Sequence, residues 1–133
     1  MKLVIYTDGA ARGNPGPAGI GAVIQNEEGE VLSEISSFLG QATNNIAEYT
    51  ALVTALEKAA ALKAREVLLY TDSELVVKQI KGEYRVKNEG LKPLYRKAKE
   101  LIQQFDLFTI VHIPREQNKV ADGLANKGID EGN

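Results

Sequence analysis

A long helical pattern followed by a strand pattern restricts the fold of this chain more than any other feature. Residues 45–61 combine strong helix formers with apolar residues at a helical spacing. Residues 66–71, with the sequence EVLLYT, have the pattern of a strand. A strand that is reached from an earlier strand through a crossover helix pairs with that strand in parallel. The chain is therefore predicted to be an α/β protein.

Further strand and helix patterns lie on both sides of this unit. Strands are predicted at residues 2–7, 19–26 and 30–39, and the short EEGE segment favours a hairpin between the last two. The segment DGAARGNPGPAG between the first two strands is predicted to be a loop because it is rich in Gly and Pro. The later part of the chain is predicted to contain a short helix ELVVKQI, a loop KGEYRVKNEG, a helix at 91–104, a strand at 107–113 ended by Pro114, and a helix at 119–128. Together these patterns predict a five-stranded mixed sheet with helices packed on it.

The length of 133 residues fits one domain, which is predicted to span 1–128, with a frayed tail at 129–133. There is no apolar run that could span a bilayer, and the N-terminus turns polar too early for a secretory signal. The absence of Cys excludes disulfides and thiolate metal sites and fits a reducing compartment. We therefore expect a cytoplasmic protein without membrane association.

The net charge of −2 argues mildly against a nucleic-acid partner, because such proteins usually have a basic surplus. This argument fails if the acidic residues are concentrated at a metal site, since bound cations reverse the local charge. The distribution of the carboxylates therefore matters more than their number.

Two aspartates directly follow predicted strands. Asp8 comes after the first strand and Asp72 after the fourth. If these strands are parallel neighbours, both side chains lie at the carboxyl edge of the sheet, where ligands bind in open α/β folds. The alternative is that both are ordinary turn residues.

Glu48 and Asp122 lie near helix starts. Glu48 could complete a capping box with Asn45, and Asp122 could favour the start of a helix that Asn118 caps. However, Glu48 also heads the apolar stripe that faces the sheet, where an acid must be paired or must bind a metal. One metal site would account for all four carboxylates together.

The ligand set indicates the kind of metal. Carboxylates are the ligands that Mg²⁺ prefers, and two such ions can hold an attacking water and a leaving oxygen in line. A single His and no Cys make a zinc site a poor alternative. Phosphodiester cleavage is the natural reaction for this set.

Four segments resemble the sequence motifs of type 1 ribonuclease H, in order and at similar intervals: TDGAARGNPGPAG, TNNIAEYTAL, LLYTDSELVV and REQNKVADGLA. The short chain resembles the compact subfamily of archaea and some bacteria, which has no basic protrusion. The resemblance implies a ribonuclease H-like fold and a catalytic, metal-binding set of Asp8, Glu48, Asp72 and Asp122. It implies two Mg²⁺ ions, for which Mn²⁺ can substitute.

The same resemblance implies an endonuclease that hydrolyses the RNA strand of an RNA–DNA hybrid, leaving 5′-phosphate and 3′-hydroxyl ends. Double-stranded RNA is a second substrate to test, and the chain is expected to be a monomer. The implied substrate contacts, some of which could instead be turn or capping residues, are Gly9, Ala10, Arg12, Gly13, Asn14, Thr43, Asn44, Asn45 and Ser73.

Two places depart from the longer relatives. The loop KGEYRVKNEG replaces their basic protrusion, and its Lys81, Arg85 and Lys87 could be solvated rather than bound to substrate. His112 falls within a strand pattern and is predicted to be held by packing or a hydrogen bond. Arg115, just beyond that strand, is the candidate for holding the scissile phosphate or expelling the product, because guanidinium suits phosphate but cannot act as a base.

Other functions remain open at this point. The main alternative is a catalytically weak or silent hybrid- or RNA-binding module on the same fold. A junction resolvase of the wider superfamily is disfavoured by the TDG, NNxAE and TDS motifs and the short chain. A purely structural role would leave the sheet-facing Glu48 unexplained.

Overall fold

The computed structural model, which describes residues 1–132, confirms a five-stranded mixed sheet. The strands are β1 (Lys2–Ala11), β2 (Gly16–Gln25), β3 (Val31–Ala42), β4 (Glu66–Thr71) and β5 (Leu107–His112). The helices are α1 (Asn44–Ala61), α2 (Glu74–Ile80), α3 (Lys92–Ile102) and α4 (Lys119–Glu131). The strand order is β3-β2-β1-β4-β5, in which β1 is antiparallel to β2 and parallel to β4, as the crossover predicts.

The predicted loop between the first two strands is much shorter in the structure. Strand β1 continues to Ala11 and β2 begins at Gly16, so that only residues 12–15 form the turn. The small residues 9–11 pair with residues 18–20 through their backbones, which does not require the branched side chains that mark a strand in sequence. As a result, Asp8 lies within β1 rather than directly after it, which corrects the prediction.

Helix α1 packs its apolar stripe on one face of the sheet. Leu52, Leu56 and Ala59 are almost fully buried against the β1 residues Leu3 and Ile5, in agreement with the predicted helical period. The helix begins one residue before the predicted start. Its N-cap is Thr43, whose hydroxyl accepts a hydrogen bond from the Ile46 amide, and not Asn45, which the capping box with Glu48 would require.

Helix α4 covers part of the opposite face. It continues to Glu131, three residues beyond its predicted end, and Ile129 is only 3% exposed. The prediction of a frayed tail is thus wrong for residues 129–131, because the last turn packs on β2 and β3; Asn133 lies outside the described residues. No helix within residues 1–132 has both the length and the apolar character needed to cross a membrane.

Candidate active site

Three of the predicted carboxylates meet at the carboxyl edge of the sheet. Asp8, Glu48 and Asp72 each offer an oxygen atom, and these atoms lie within 4.8 Å of one another. Strands β1 and β4 are parallel, and their last paired residues are Thr7 and Thr71. Asp8 and Asp72 directly follow these two residues in the sequence. The start of α1 passes over the same edge and contributes Glu48.

Glu48 is held by β1 rather than by its own helix. Its Oε1 accepts a hydrogen bond of 2.6 Å from the Gly9 amide, and its side chain is buried. The capping-box interpretation of Glu48 is therefore wrong. A Cβ atom on Gly9 would overlap the backbone of Ala47 and Glu48. Glycine is needed here so that α1 can approach β1, which is a structural requirement separate from the substrate contact that the resemblance implies for Gly9.

The acidic cluster is electrostatically unfavourable without a cation. Burial, followed by the charges of Glu48 and Asp72, raises the pKa of Asp8 to about 10. Burial raises the pKa of Glu48 to about 8, against the hydrogen bond from Gly9, which favours the ionised form. A divalent cation would relieve this repulsion, and a set of hard carboxylate oxygens fits Mg²⁺ or Mn²⁺.

Asp122 lies at the edge of this cluster. It lines the same cleft of about 560 Å³, but it is not one of the three residues whose oxygens converge within 4.8 Å. Its carboxylate accepts a hydrogen bond of 3.3 Å from Asn126 Nδ2, and Arg115 Nη2 lies 3.8 Å from it. Its charge also contributes to the raised pKa of Asp8. All four predicted carboxylates therefore line one cleft.

The structure brings only some of the predicted substrate contacts into the cleft. Those that line it are Gly9, Ala10, Arg12, Asn44 and Ser73, together with Arg115. Those outside its lining are Gly13, Asn14, Thr43 and Asn45. Thr43 and Ser73 act as helix caps, as their alternative interpretation predicted. Asn14 accepts a hydrogen bond of 3.0 Å from the Asn44 amide and so ties the β1–β2 turn to α1.

The cleft also contains residues that the sequence analysis missed: Ala11, Glu74, Leu75 and Asn126. Asn126 is the most informative of them, because it contacts both Asp122 and Arg12. It follows Asp122 by four residues, which places both on one face of α4. This spacing was the signal that could have identified it.

The two candidates beyond the carboxylates occupy different environments. His112 is the last residue of β5 and is exposed, so the packing predicted for it is not found. Arg115 begins a 3-10 turn after Pro114, and its side chain is 80% exposed. Of the two, Arg115 lines the cleft.

The basic residues are concentrated in one segment of the chain. Residues 78–99 contain eight of the sixteen Lys and Arg residues but only two Glu residues. Lys81, Arg85 and Lys87 are exposed there, and the Lys78 ammonium lies 5.0 Å from the centre of the Tyr84 ring. The chain therefore contains a strongly basic segment although its net charge is only −2. Helix α2 begins directly after Asp72 and Ser73 and leads into this segment.

Known proteins resemble this chain over nearly its whole length. A family model described as reverse transcriptase-like matches residues 6–128. The bifunctional protein Rv2228c of Mycobacterium tuberculosis is 45% identical over 131 residues, 98% of this chain and 36% of that protein. Ribonuclease HI of Halobacterium salinarum is 44% identical over 130 residues, 98% of this chain and 65% of that protein.

A solved structure extends this agreement to three dimensions. It is that of LC11-RNase H1 in complex with an RNA/DNA hybrid, which is 46% identical, with a TM-score of 0.92 and 98% of each chain covered. The present chain spans less than two thirds of the mycobacterial and halobacterial relatives. With a family match over residues 6–128 and the same fold as these relatives, the chain belongs to the ribonuclease H type 1 family.

Proposed function

We propose that this chain is an endonuclease that hydrolyses the RNA strand of an RNA–DNA hybrid by two-metal-ion catalysis, leaving 5′-phosphate and 3′-hydroxyl ends. The observation that carries the proposal is the convergence of Asp8, Glu48 and Asp72 in a cleft that Asp122 also lines. The hybrid bound to LC11-RNase H1 supports the choice of substrate.

The proposed metal ligands are Asp8, Glu48, Asp72 and Asp122, and the proposed ions are two Mg²⁺, for which Mn²⁺ can substitute. Divalent ions held by these residues would lower the pKa of a water and neutralise charge on the attacking and leaving oxygens. The donor set supports this assignment, because buried carboxyl groups with raised pKa values ionise at neutral pH only when a counter-charge such as a divalent cation is beside them.

The other residues of the cleft are proposed to bind and orient the substrate. The Gly9 amide fixes one oxygen of Glu48. The Glu48 carboxylate therefore does not need to reorganise when the substrate binds. Arg115 can donate two parallel hydrogen bonds to the scissile phosphate. The backbone of residues 9–12 and the side chain of Ser73 offer contacts to the nucleic-acid strands. Discrimination against DNA would come from contacts to 2′-hydroxyl groups.

Replacing Asp72 by Asn tests the metal assignment. Asp72→Asn removes one ligand charge with little change in volume, so hydrolysis of a hybrid in Mg²⁺ should fall by several orders of magnitude. The circular dichroism spectrum should remain that of the folded wild type. Near wild-type cleavage by purified Asp72→Asn would contradict the proposal.

The choice of substrate needs a second comparison. Matched hybrid, double-stranded RNA and double-stranded DNA should be incubated with the protein in Mg²⁺ and in Mn²⁺. We expect cleavage of the hybrid and none of double-stranded DNA, and the same assay measures whether double-stranded RNA is a second substrate. Binding of the hybrid without cleavage in either metal would favour the silent binding module instead. The monomeric state and the cytoplasmic location also remain predictions, to be tested by light scattering and cell fractionation.

A further inference from the structure

Asn118 is the most deeply buried polar residue close to the site that the proposed function does not use. It lies between the 3-10 turn at Arg115–Gln117 and helix α4, and it is 1% exposed. Its Nδ2 donates a hydrogen bond of 2.8 Å to the carbonyl of Thr7, a residue 111 positions away in the sequence. Its Oδ1 has no hydrogen-bond partner among the described residues.

Helix capping does not explain this residue. Asn118 occupies the N-cap position of α4, but its side chain makes no capping hydrogen bond and reaches β1 instead. This corrects the prediction that Asn118 caps the helix. An amide that is buried with one unpaired oxygen is unfavourable for the folded state. The contact with Thr7 is the only hydrogen bond that this side chain makes within residues 1–132.

The position of that contact links two of the proposed metal ligands. Thr7 is the last β1 residue that pairs with β4, and Asp8 follows it directly. On the other side, the Asp122 amide donates a hydrogen bond of 3.0 Å to the Asn118 carbonyl. Asn118 therefore connects the backbone beside Asp8 with the first turn of the helix that carries Asp122.

Asp122 is the carboxylate that most needs such a connection. Asp8 and Asp72 are placed by adjacent parallel strands, and Glu48 is held by the Gly9 amide. Asp122 instead comes from a helix on one face of the sheet, and it lies outside the tight cluster of the other three. Side chains that orient metal ligands through hydrogen bonds commonly change metal affinity by ten- to a hundredfold when they are removed.

We infer that Asn118 is a positioning residue that sets the place of Asp122 relative to Asp8 and thereby the affinity of the site for divalent cations. This inference rests on the proposed function, because it assumes that both aspartates bind metal. Asn118 itself is buried and does not line the cleft. Its effect is exerted through the hydrogen bond to Thr7 and the first turn of α4.

The test replaces Asn118 by Leu, which has a similar shape but no polar atoms. Binding of Mn²⁺ to the free protein is measured from the electron paramagnetic resonance signal of the unbound ion. We expect Asn118→Leu to weaken Mn²⁺ binding by roughly tenfold or more. With hybrid substrate, kcat should fall and recover in part at high metal concentration, while KM for the hybrid stays near the wild-type value.

The matched control is Ile129→Ala, which removes a buried side chain from the last turn of the same helix, outside the cleft lining. It should lower the melting temperature and leave Mn²⁺ binding unchanged. If Asn118→Leu does not fold, Asn118→Ala serves for the same measurement. Wild-type Mn²⁺ affinity in a folded Asn118 variant would overturn the inference.

The same titration on Asp72→Asn separates the two proposals. Loss of Mn²⁺ binding in Asp72→Asn, together with wild-type binding in the Asn118 variants, would overturn only the positioning role. Wild-type binding in Asp72→Asn would overturn the proposed metal site itself.

Discussion

At the scale of single residues, the acidic cluster lowers the stability of the metal-free folded protein and creates a site suited to cations. Asp8 and Glu48 are buried side by side, and each has a pKa that is raised well above its ordinary value. Like charges in a buried site oppose folding, whereas a bound divalent cation stabilises the folded state. The two effects can be measured from how the melting temperature changes with pH and with metal concentration.

The first residue-scale prediction concerns pH. The pKa of Asp8 rises from 3.8 to about 10 on folding, and that of Glu48 from 4.5 to about 8. The folded protein therefore binds more protons than the unfolded chain between these limits, so metal-free stability should fall as pH rises from about 4 upward. Melting curves in chelator at about pH 5 and about pH 9 should show this loss, and Asp8→Asn should reduce it.

Magnesium provides the control for that series. Adding Mg²⁺ at the higher pH should raise the melting temperature of the wild type more than that of Asp8→Asn, because the variant has lost a ligand charge. Equal magnesium shifts in both proteins, or equal pH dependence in chelator, would contradict the electrostatic account of the cluster.

The second residue-scale prediction separates Arg115 from His112. Arg115→Ala should lower turnover by roughly ten- to a thousandfold, the range expected for the loss of one charge-stabilising donor. His112→Ala should change turnover little, because His112 does not line the cleft, and its exposure implies a small effect on stability. Steady-state kinetics and melting curves on both variants decide between them. A folded His112→Ala without activity, alongside an active Arg115→Ala, would reverse the assignment.

At the scale of secondary-structure elements, the contact between β1 and α1 decides where Glu48 lies. Gly9→Ala places a methyl group where the backbone of Ala47 and Glu48 already passes. We expect a loss of about 1–3 kcal/mol in the free energy of unfolding, the usual cost of overpacking, together with weaker metal binding. Urea unfolding and an Mn²⁺ titration measure the two effects.

Gly123→Ala is the matched control for that substitution. Gly123 lies within α4, and a Cβ atom there would meet nothing within 4 Å. Because Ala favours a helix over Gly, this variant should be more stable than the wild type by up to about 1 kcal/mol. Equal effects of the two substitutions would show that the approach of α1 does not require Gly9.

At the scale of the whole molecule, charge is distributed unevenly over a nearly neutral chain. The segment 78–99 holds half of the basic residues, whereas five carboxylates line the cleft. If this segment contacts phosphates, Lys81→Gln with Lys87→Gln should raise KM for the hybrid and reduce the dependence of binding on salt. Titrations at several salt concentrations measure this effect.

The control is a second double variant that removes the same two positive charges from a part of the chain outside the cleft lining. Lys58 and Lys63 are exposed at the far end of α1 and beyond it, away from the cleft lining. Their double replacement by Gln should leave KM and the salt dependence close to those of the wild type. If both double variants behave alike, the basic loop is solvated, as its alternative interpretation in the sequence predicts.

Local sequence patterns were sufficient to predict the order of the elements, the parallel pairing of β1 with β4, and the position of Asp72 directly after β4. These features follow from local periodicity and from the chain-connection rules, which do not depend on distant residues. The resemblance of four segments to one family also required only sequence. The sheet-facing stripe of α1 indicated that Glu48 was more than a capping residue.

The partner of the Glu48 side chain, the lengths of β1 and α4, and the contacts of Asn118 and Asn126 depend on packing between segments that are distant in the sequence. Gly9, Ala10 and Ala11 resemble a turn in sequence, but they join a strand because β2 offers its backbone groups beside them. The last turn of α4 is ordered because it packs on β2 and β3. The bond from Asn118 to Thr7 joins residues 111 positions apart. Such contacts leave no local spacing in the sequence, because they exist only once the sheet has brought the two segments together.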